Sequence, residues 1–230
     1  MRGLFLGDCL ELLKKVQSES VDLIITSPPY NLGNNHHTGF VKHKAYEDNL
    51  NENDYQEWQI KVLNECFRIL KEDGSMFYNH KNRIKNGLQI TPYEWIFKSD
   101  LLVKQEIVWI NRSQNFDKIR FYPFTERIYW LVKNKKTKLY NTINHHDVFD
   151  WKEWKPRGIK GDHKRAFPRK MVSDIISCFP NSKIVLDPFS GSGTTLLVAQ
   201  EMGKEYIGFE IMEKYYNLAK ENLENEKRKL

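Results

Sequence analysis

No stretch of this 230-residue sequence comes near the ~20 consecutive apolar residues that a membrane-spanning helix needs. Cysteine is scarce as well. Cys9, Cys66 and Cys178 are odd in number and widely separated, which argues against a disulfide framework or a CxxC zinc site. His36, His37, His145 and His146 fit no standard zinc spacing, so no metal is expected. There is no internal repeat and no low-complexity linker. The opening MRGLFLGDCLELLKK turns charged too soon for a secretory signal peptide, and the cytoplasm is the expected compartment.

What is present describes a folded domain. Hydrophobic residues make up 40% of the chain and aromatics 13%, the composition of a globular protein rather than a disordered one. The length suits a single domain spanning residues 1–230. Leu10, Leu13 and Val16 recur at helical spacing, and the run Val-Asp-Leu-Ile-Ile at 21–25 reads as a buried strand. A helix is expected over 54–70, opened by a capping box of Asp54 and Glu57 and ended by Gly74, with a strand at 75–79. Thr91-Pro92 opens another helix. Residues 106–110 and 127–132 read as two strands, an antiparallel pair, and 133–167 as irregular. A helix over 168–178, a strand at 184–186, a helix over 194–202, a strand at 206–209 and a helix from Glu213 complete the chain. Residues 31–53 are polar and read as a mobile loop. Alternating strands and helices argue for an α/β fold with a largely parallel sheet covered on both faces.

The 36 Lys and Arg exceed the 30 Asp and Glu by only six. Residues 133–170 hold twelve of the basic residues and four acidic ones, a local excess of eight. A like-charge cluster is often just a solvated face. This one is interleaved with His145, His146, Trp151 and Trp154, which points to a nucleic-acid surface. Within it Lys133, Lys135, Lys136, Lys152, Lys155 and Arg157 are the candidate DNA contacts, and 133–167 the candidate target-recognition region.

Two motifs carry the chemistry. Asp187-Pro188-Phe189-Ser190-Gly191-Ser192-Gly193-Thr194-Thr195 follows a strand and opens a helix. Its glycines let the backbone approach a ligand, and the helix start presents free N–H groups to a carboxylate or phosphate. Glu210 ends the next strand, where an acidic side chain can bind ribose hydroxyls. The loop lacks the Gly-Lys-Ser/Thr of an NTPase and the third glycine of the dinucleotide fingerprint. A zwitterionic nucleoside such as S-adenosylmethionine fits it better than ATP or NAD. The second motif is Thr26-Ser27-Pro28-Pro29-Tyr30, directly after the 21–25 strand. Paired prolines are rigid and leave their carbonyls without local N–H partners. With the Ser27 hydroxyl and the Tyr30 ring they suit a flipped base, stacked on the ring and held by its amino hydrogens at Ser27 and the Pro28 carbonyl.

The pairing of TSPPY with DPFSGSGTT resembles the amino-methyltransferases of bacterial DNA in their circularly permuted β-class order, catalytic motif first and cofactor loop last. Gly7-Asp8-Cys9 is similar to the family's N-terminal GD, placed near the cofactor adenine. The segment His-Lys-Arg-Ala-Phe-Pro-Arg-Lys at 163–170 is similar to its HP-x-x-FP segment, with Lys164 where the family has proline. The resemblance implies a Rossmann-like methyltransferase fold: a mainly parallel twisted sheet with an antiparallel strand pair, helices on both faces, circularly permuted. It implies S-adenosylmethionine as cofactor, held by Asp8, His163, Phe167, the 187–195 loop and Glu210, with Ser27, Pro28, Pro29 and Tyr30 catalytic. No covalent enzyme intermediate is needed, which leaves the cysteines as packing residues.

Serine before Pro-Pro resembles the cytosine-N4 branch, whereas aspartate is commoner among adenine-N6 enzymes. The expected activity is therefore site-specific cytosine-N4 methylation of double-stranded DNA in a restriction-modification system, with adenine N6 the alternative. A homodimer and a separately acting cognate endonuclease are the further partners this would allow. RNA or protein-glutamine methylation is disfavoured by motif order, and a silent DNA-binding module by the intact Ser27, Tyr30, Gly191, Gly193 and Glu210.

Overall fold

The computed structural model describes residues 1–32, 48–112, 118–141, 146–150 and 167–227. In chain order the elements are β1 (Gly3–Leu6), α1 (Cys9–Leu13), β2 (Val21–Thr26), α2 (Glu52–Ile69), β3 (Leu70–His80), β4 (Arg83–Lys85), β5 (Leu88–Ile90), α3 (Tyr93–Ile96), β6 (Leu102–Trp109), β7 (Glu126–Val132), β8 (Val148–Phe149), α4 (Arg169–Ser177), β9 (Ile184–Asp187), α5 (Thr194–Glu201), β10 (Glu205–Glu210) and α6 (Glu213–Lys227). Eight strands form one sheet in the order β1-β10-β9-β2-β3-β7-β6-β8, and β4 pairs with β5 apart from it. The first five strands of that order are mutually parallel. β7 runs antiparallel between β3 and β6, as the 106–110 and 127–132 segments led one to expect, and β8 lies parallel to β6 at the edge.

β2 shows why the central strands read as continuous apolar runs. Val21 and Ile24 face one core cluster, with residues of α1, α2 and α3, while Leu23 and Ile25 face a second, with residues of α4 and α5. A parallel strand covered on both faces has no solvent side to carry polar residues. The chain's order of strands reverses between β9 and β2. From β9 it continues outward to β10, and from β2 it continues the other way to β3. In open α/β sheets ligands bind in the crevice beyond the carboxyl ends of strands at such a reversal.

Several local expectations are corrected. The N-terminal apolar spacing is split: α1 ends at Leu13, and Val16 is buried beyond it. β1, a short edge strand of four residues, precedes α1 and gave no periodic signal. α2 starts at Glu52, inside the stretch read as a loop, and its cap is Asn51, whose Oδ1 accepts from the Asp54 N–H at 3.0 Å. Gly74 sits within β3, where it does not terminate a helix. Pro92 occupies the cap position of a helix of only four residues. The β4–β5 hairpin was missed although Asn86-Gly87 marks it. Both residues have positive φ, 51° and 80°, as a tight hairpin turn demands. β8 interrupts the stretch read as irregular because Val148 and Phe149 pair with Val108 and Trp109. Among the described residues no helix is long and apolar enough to cross a membrane.

The capping difference is measurable. Asn51→Ala should lower unfolding stability by about 1 kcal/mol. Glu57→Ala, which removes the partner that a box centred on Asp54 would need, should change it far less, both read from urea midpoints at constant m.

Candidate active site

Asp187 and Thr26 end neighbouring parallel strands, with Leu186 beside Ile24 in register. Their side chains meet: the Thr26 hydroxyl donates to Asp187 Oδ1 at 2.7 Å. The same carboxylate oxygen accepts from the Phe189 N–H at 3.0 Å, which starts the turn into the glycine loop. Burial pushes the Asp187 carboxyl up to about 6, although the hydrogen bonds from Thr26, Phe189 and Thr195 oppose the shift.

The loop is pinned at each step. The N–H and hydroxyl of Ser190 both donate to the Phe209 carbonyl at 2.9 Å. The Gly191 N–H donates to Glu210 Oε2, and the Met212 N–H to Glu210 Oε1, each at 2.8 Å. Gly193 has φ of 85°, and a Cβ there would stand 2.9 Å from the Ala219 Cβ, so this glycine allows both the turn and the approach of α6. Phe189 packs edge-on against Trp58 of α2. Pro188 is buried, and Thr195 lies buried with its hydroxyl 3.5 Å from the Ile25 carbonyl. α5 begins at Thr194 without a side-chain cap, and among the described residues the buried Thr194 hydroxyl has no hydrogen-bond partner. Uncapped N–H groups, an orphaned hydroxyl and a buried acid on the next strand fit a zwitterionic nucleoside cofactor. Burial also raises the Glu210 carboxyl above its ordinary value, against the backbone N–H groups that bind it.

Beyond the neighbouring strand β2, the 27–30 turn rests on two hydrogen-bonded sets. In the first, Ser27 Oγ lies 2.7 Å from the Tyr30 hydroxyl, which also reaches Asn79 Oδ1 at 2.7 Å and Glu126 Oε2 at 3.1 Å. Asn79 Nδ2 donates to the Arg127 carbonyl and Asn111 Nδ2 to Glu126 Oε1. In the second, Trp95 Nε1 donates to the Tyr78 hydroxyl, Tyr78 to Gln59 Oε1, Gln59 Nε2 to the Tyr55 hydroxyl, and Tyr55 to the Pro29 carbonyl. Tyr55 also lies 2.7 Å from His80 Nε2. The Lys81 carbonyl beside His80 Nδ1 can only accept, so Nδ1 carries the ring proton and Nε2 is an acceptor, sharing the one Tyr55 proton with the Pro29 carbonyl. Burial lowers the imidazole to about 3, and it is neutral at physiological pH. The Pro29 carbonyl is thus engaged, whereas among the described residues the Pro28 carbonyl accepts no hydrogen bond.

The structure brings Ser27, Pro28, Pro29, Tyr30, the 187–195 loop and Glu210 to one end of the sheet, at the carboxyl ends of β2, β9 and β10. Tyr30 is not the open platform the sequence suggests: it is 8% exposed, and its ring packs at 4.6 Å against His80. Asp8 lies at the end of β1 beside β10, where its carboxylate caps α1 by accepting from Leu10 and Glu11. Phe167 is buried in the second core cluster, against Trp109. The basic residues need correction. Lys133, Lys135 and Lys136 follow the end of β7 that pairs with Ser75, whereas its other end, Arg127, pairs with His80 beside the site. They lie at the opposite edge of the sheet, and Lys133 is engaged with the Leu70 carbonyl and Glu19. Lys152, Lys155, Arg157 and His163 fall outside the described residues, as do Trp151, Trp154, His36, His37 and His145. Asn79, Glu126 and Asn111 escaped the sequence reading. Their one signal is a polar residue ending or beginning an apolar strand. No group of residues able to hold a metal occurs among the described residues.

A doubly wound sheet with a glycine loop and a Pro-Pro turn at the ends of adjacent central strands is an architecture that binds nucleoside cofactors. The family model for DNA methylases of the N6/N4 type matches residues 21–221, and the chain belongs to that family. DNA adenine methyltransferase YhdJ of Escherichia coli K12 is 30% identical over 95% of this chain and 81% of its own length. Type II methyltransferase M.BamHI of Bacillus amyloliquefaciens is also 30% identical, and the chain spans only 54% of that protein's length. The PvuII DNA methyltransferase, described as cytosine-N4-specific, shares the fold with a TM-score of 0.78 at 22% identity, over 96% of this chain and 85% of its own.

Asp187 yields a pH prediction. Unfolded, its carboxyl ionises near its ordinary value of 3.8; folded, it does so at about 6. Between these values the unfolded chain holds fewer protons, so this group's contribution falls as pH rises through the window. Asp187→Asn keeps an oxygen for Thr26 and Phe189 and cannot ionise. Urea unfolding across this range should show parental stability falling relative to the variant as pH rises.

Proposed function

We propose that this chain methylates the N4 amino group of cytosine in duplex DNA, with S-adenosylmethionine as donor, as the modification partner of a separate endonuclease. S-adenosylmethionine bound at the glycine loop supplies a methyl group activated on a sulfonium. The uncapped start of α5 and the Thr194 hydroxyl would take its carboxylate, and Glu210 its ribose hydroxyls.

The observation that carries the reading is the set of acceptors around the Tyr30 hydroxyl, from which the direction of the hydrogen-bond chain at Ser27 follows. Asn79 Oδ1 can only accept, because its amide nitrogen is committed to Arg127, and an ionised Glu126 can only accept. The single Tyr30 proton goes to one of them, so the Tyr30 oxygen receives the Ser27 proton. Ser27 then turns its lone pairs outward beside the Pro28 carbonyl. Two acceptors suit an exocyclic amino group, whose lone pair is delocalised into the ring. Held by both hydrogens, the nitrogen is drawn toward a tetrahedral form with its lone pair freed; the proton it sheds on methylation passes to Ser27 as the Ser27 proton moves to Tyr30 and the Tyr30 proton to the Glu126 carboxylate.

A neutral serine rather than an aspartate before Pro-Pro favours cytosine N4. Adenine N6 is the second reading, since two acceptors serve either amino group and the relative YhdJ is named for adenine. Sequencing the genome of an expressing host by a method that separates N4-methylcytosine from N6-methyladenine decides between them. One sequence context carrying N4-methylcytosine is expected. N6-methyladenine transfers the assignment to the second reading, and no mark rejects both.

The chain direction also predicts a kinetic signature. Ser27→Ala should lower single-turnover transfer by about 10²-fold or more while leaving affinity for cofactor and DNA nearly parental. Tyr30→Phe keeps the ring yet removes the receiver of the Ser27 proton, so it too should lose turnover rather than binding. Parental turnover in Tyr30→Phe would show that the ring alone matters.

A further inference from the structure

Between β6 and β7 the chain leaves the sheet at the edge that carries the site. Residues 118–125 read Lys-Ile-Arg-Phe-Tyr-Pro-Phe-Thr, with two basic residues and no acidic one. The segment is anchored where it re-enters the sheet. The Arg112 N–H donates to the Phe124 carbonyl at 3.2 Å, one step beyond the Trp109–Glu126 pair that ends the ladder. Arg127 reaches back to the Thr125 hydroxyl at 2.6 Å. Outward of that anchor Phe121 is wholly exposed, Ile119 is 81% exposed and Tyr122 52%. Isolated exposed apolar residues are ordinary; a cluster in one short segment marks an interaction surface.

Position gives the cluster its meaning. Glu126, two residues beyond Phe124, touches the Tyr30 hydroxyl. Four residues lie between Phe121 and Glu126, so at most about 18 Å separates their backbones. We propose that residues 118–124 meet duplex DNA at the target nucleotide, and that Phe121 enters the base stack as the target base leaves it. This rests on the DNA methylase reading of the site and names the surface that reading lacked once Lys133, Lys135 and Lys136 proved to lie at the far edge. A paired base cannot bring its amino group to Ser27 without leaving the helix, at the cost of unpairing and unstacking. An aromatic wedge offsets part of that cost by stacking on the neighbours left behind. Lys118 and Arg120 on either side of Ile119 match the charge of the phosphates.

The test uses a short synthetic duplex containing the context found in the host genome. A second duplex is identical except for an abasic nucleotide opposite the target base, which leaves that base unpaired. Phe121→Ala should slow single-turnover methylation of the paired duplex by about tenfold or more and of the abasic duplex by no more than about threefold. Phe121→Trp should keep the parental rate on both. A parental rate for Phe121→Ala on the paired duplex overturns the proposal. So does an equal loss on both duplexes, the mark of a damaged fold or of general DNA contact. A loss that coincides with a dimer-to-monomer change in sedimentation assigns the patch to a second copy and also overturns it. A parent chain that leaves no mark on host DNA rejects the methylase reading itself, a result distinct from the others.

Discussion

Thr26 and Asp187 are 161 residues apart in sequence and 2.7 Å apart in the fold. That hydrogen bond depends on β2 and β9 lying side by side where strand order reverses, and the rest of the site depends on that adjacency. The β9 side presents backbone N–H groups at an uncapped helix start, the Thr194 hydroxyl, and a loop turned by a glycine in the left-handed region. Everything on the β2 side offers acceptors: a serine hydroxyl and a proline carbonyl. Donors thus stand beside acceptors at one end of the sheet. Neither half is tied to its function until the other stands opposite it.

Such an arrangement requires rigid support, and the buried polar residues on the α2 face supply it. From Trp95 through Tyr78, Gln59 and Tyr55 to Pro29, each donor finds an acceptor within a largely apolar core. A polar group buried without a partner costs about 1–3 kcal/mol. A network with partners throughout can adopt few geometries at that depth, and this fixes the turn that carries Ser27. Neutral His80 belongs to the same logic. A charged imidazole next to Lys81 and Arg83 in a buried site would cost more than its hydrogen bonds return.

The surface divides along similar lines. Basic residues are spread over the chain, and only topology decides which reach the substrate. Those that begin the 133–170 stretch hang from the lower end of β7, and Lys133 is spent on internal contacts. The aromatic and basic segment before β7 carries less net charge but enters the sheet at the catalytic edge. Charge density alone is a poor guide to an interface when a strand of seven residues separates the two ends of a hairpin.

The sequence by itself determined the α/β class, the central strands, the two motifs, their permuted order and the family they resemble. Each of those rests on local signals: apolar runs for buried parallel strands, glycines where backbone must turn or approach, prolines where carbonyls must stay bare. It did not mark β1 or β8, which are too short for periodicity, and it misplaced the cap of α2 because Asn51 and Asp54 are both good caps. Tertiary structure alone decided that Tyr30 is buried with its hydroxyl hydrogen-bonded to Ser27, and that Asn79, Asn111 and Glu126 join them. It also decided that Lys133 faces away from the site. These are facts of register between strands far apart in sequence. Hydrogen-bond direction and the face of a side chain are set by what lies across the ladder, and no local pattern encodes that neighbour.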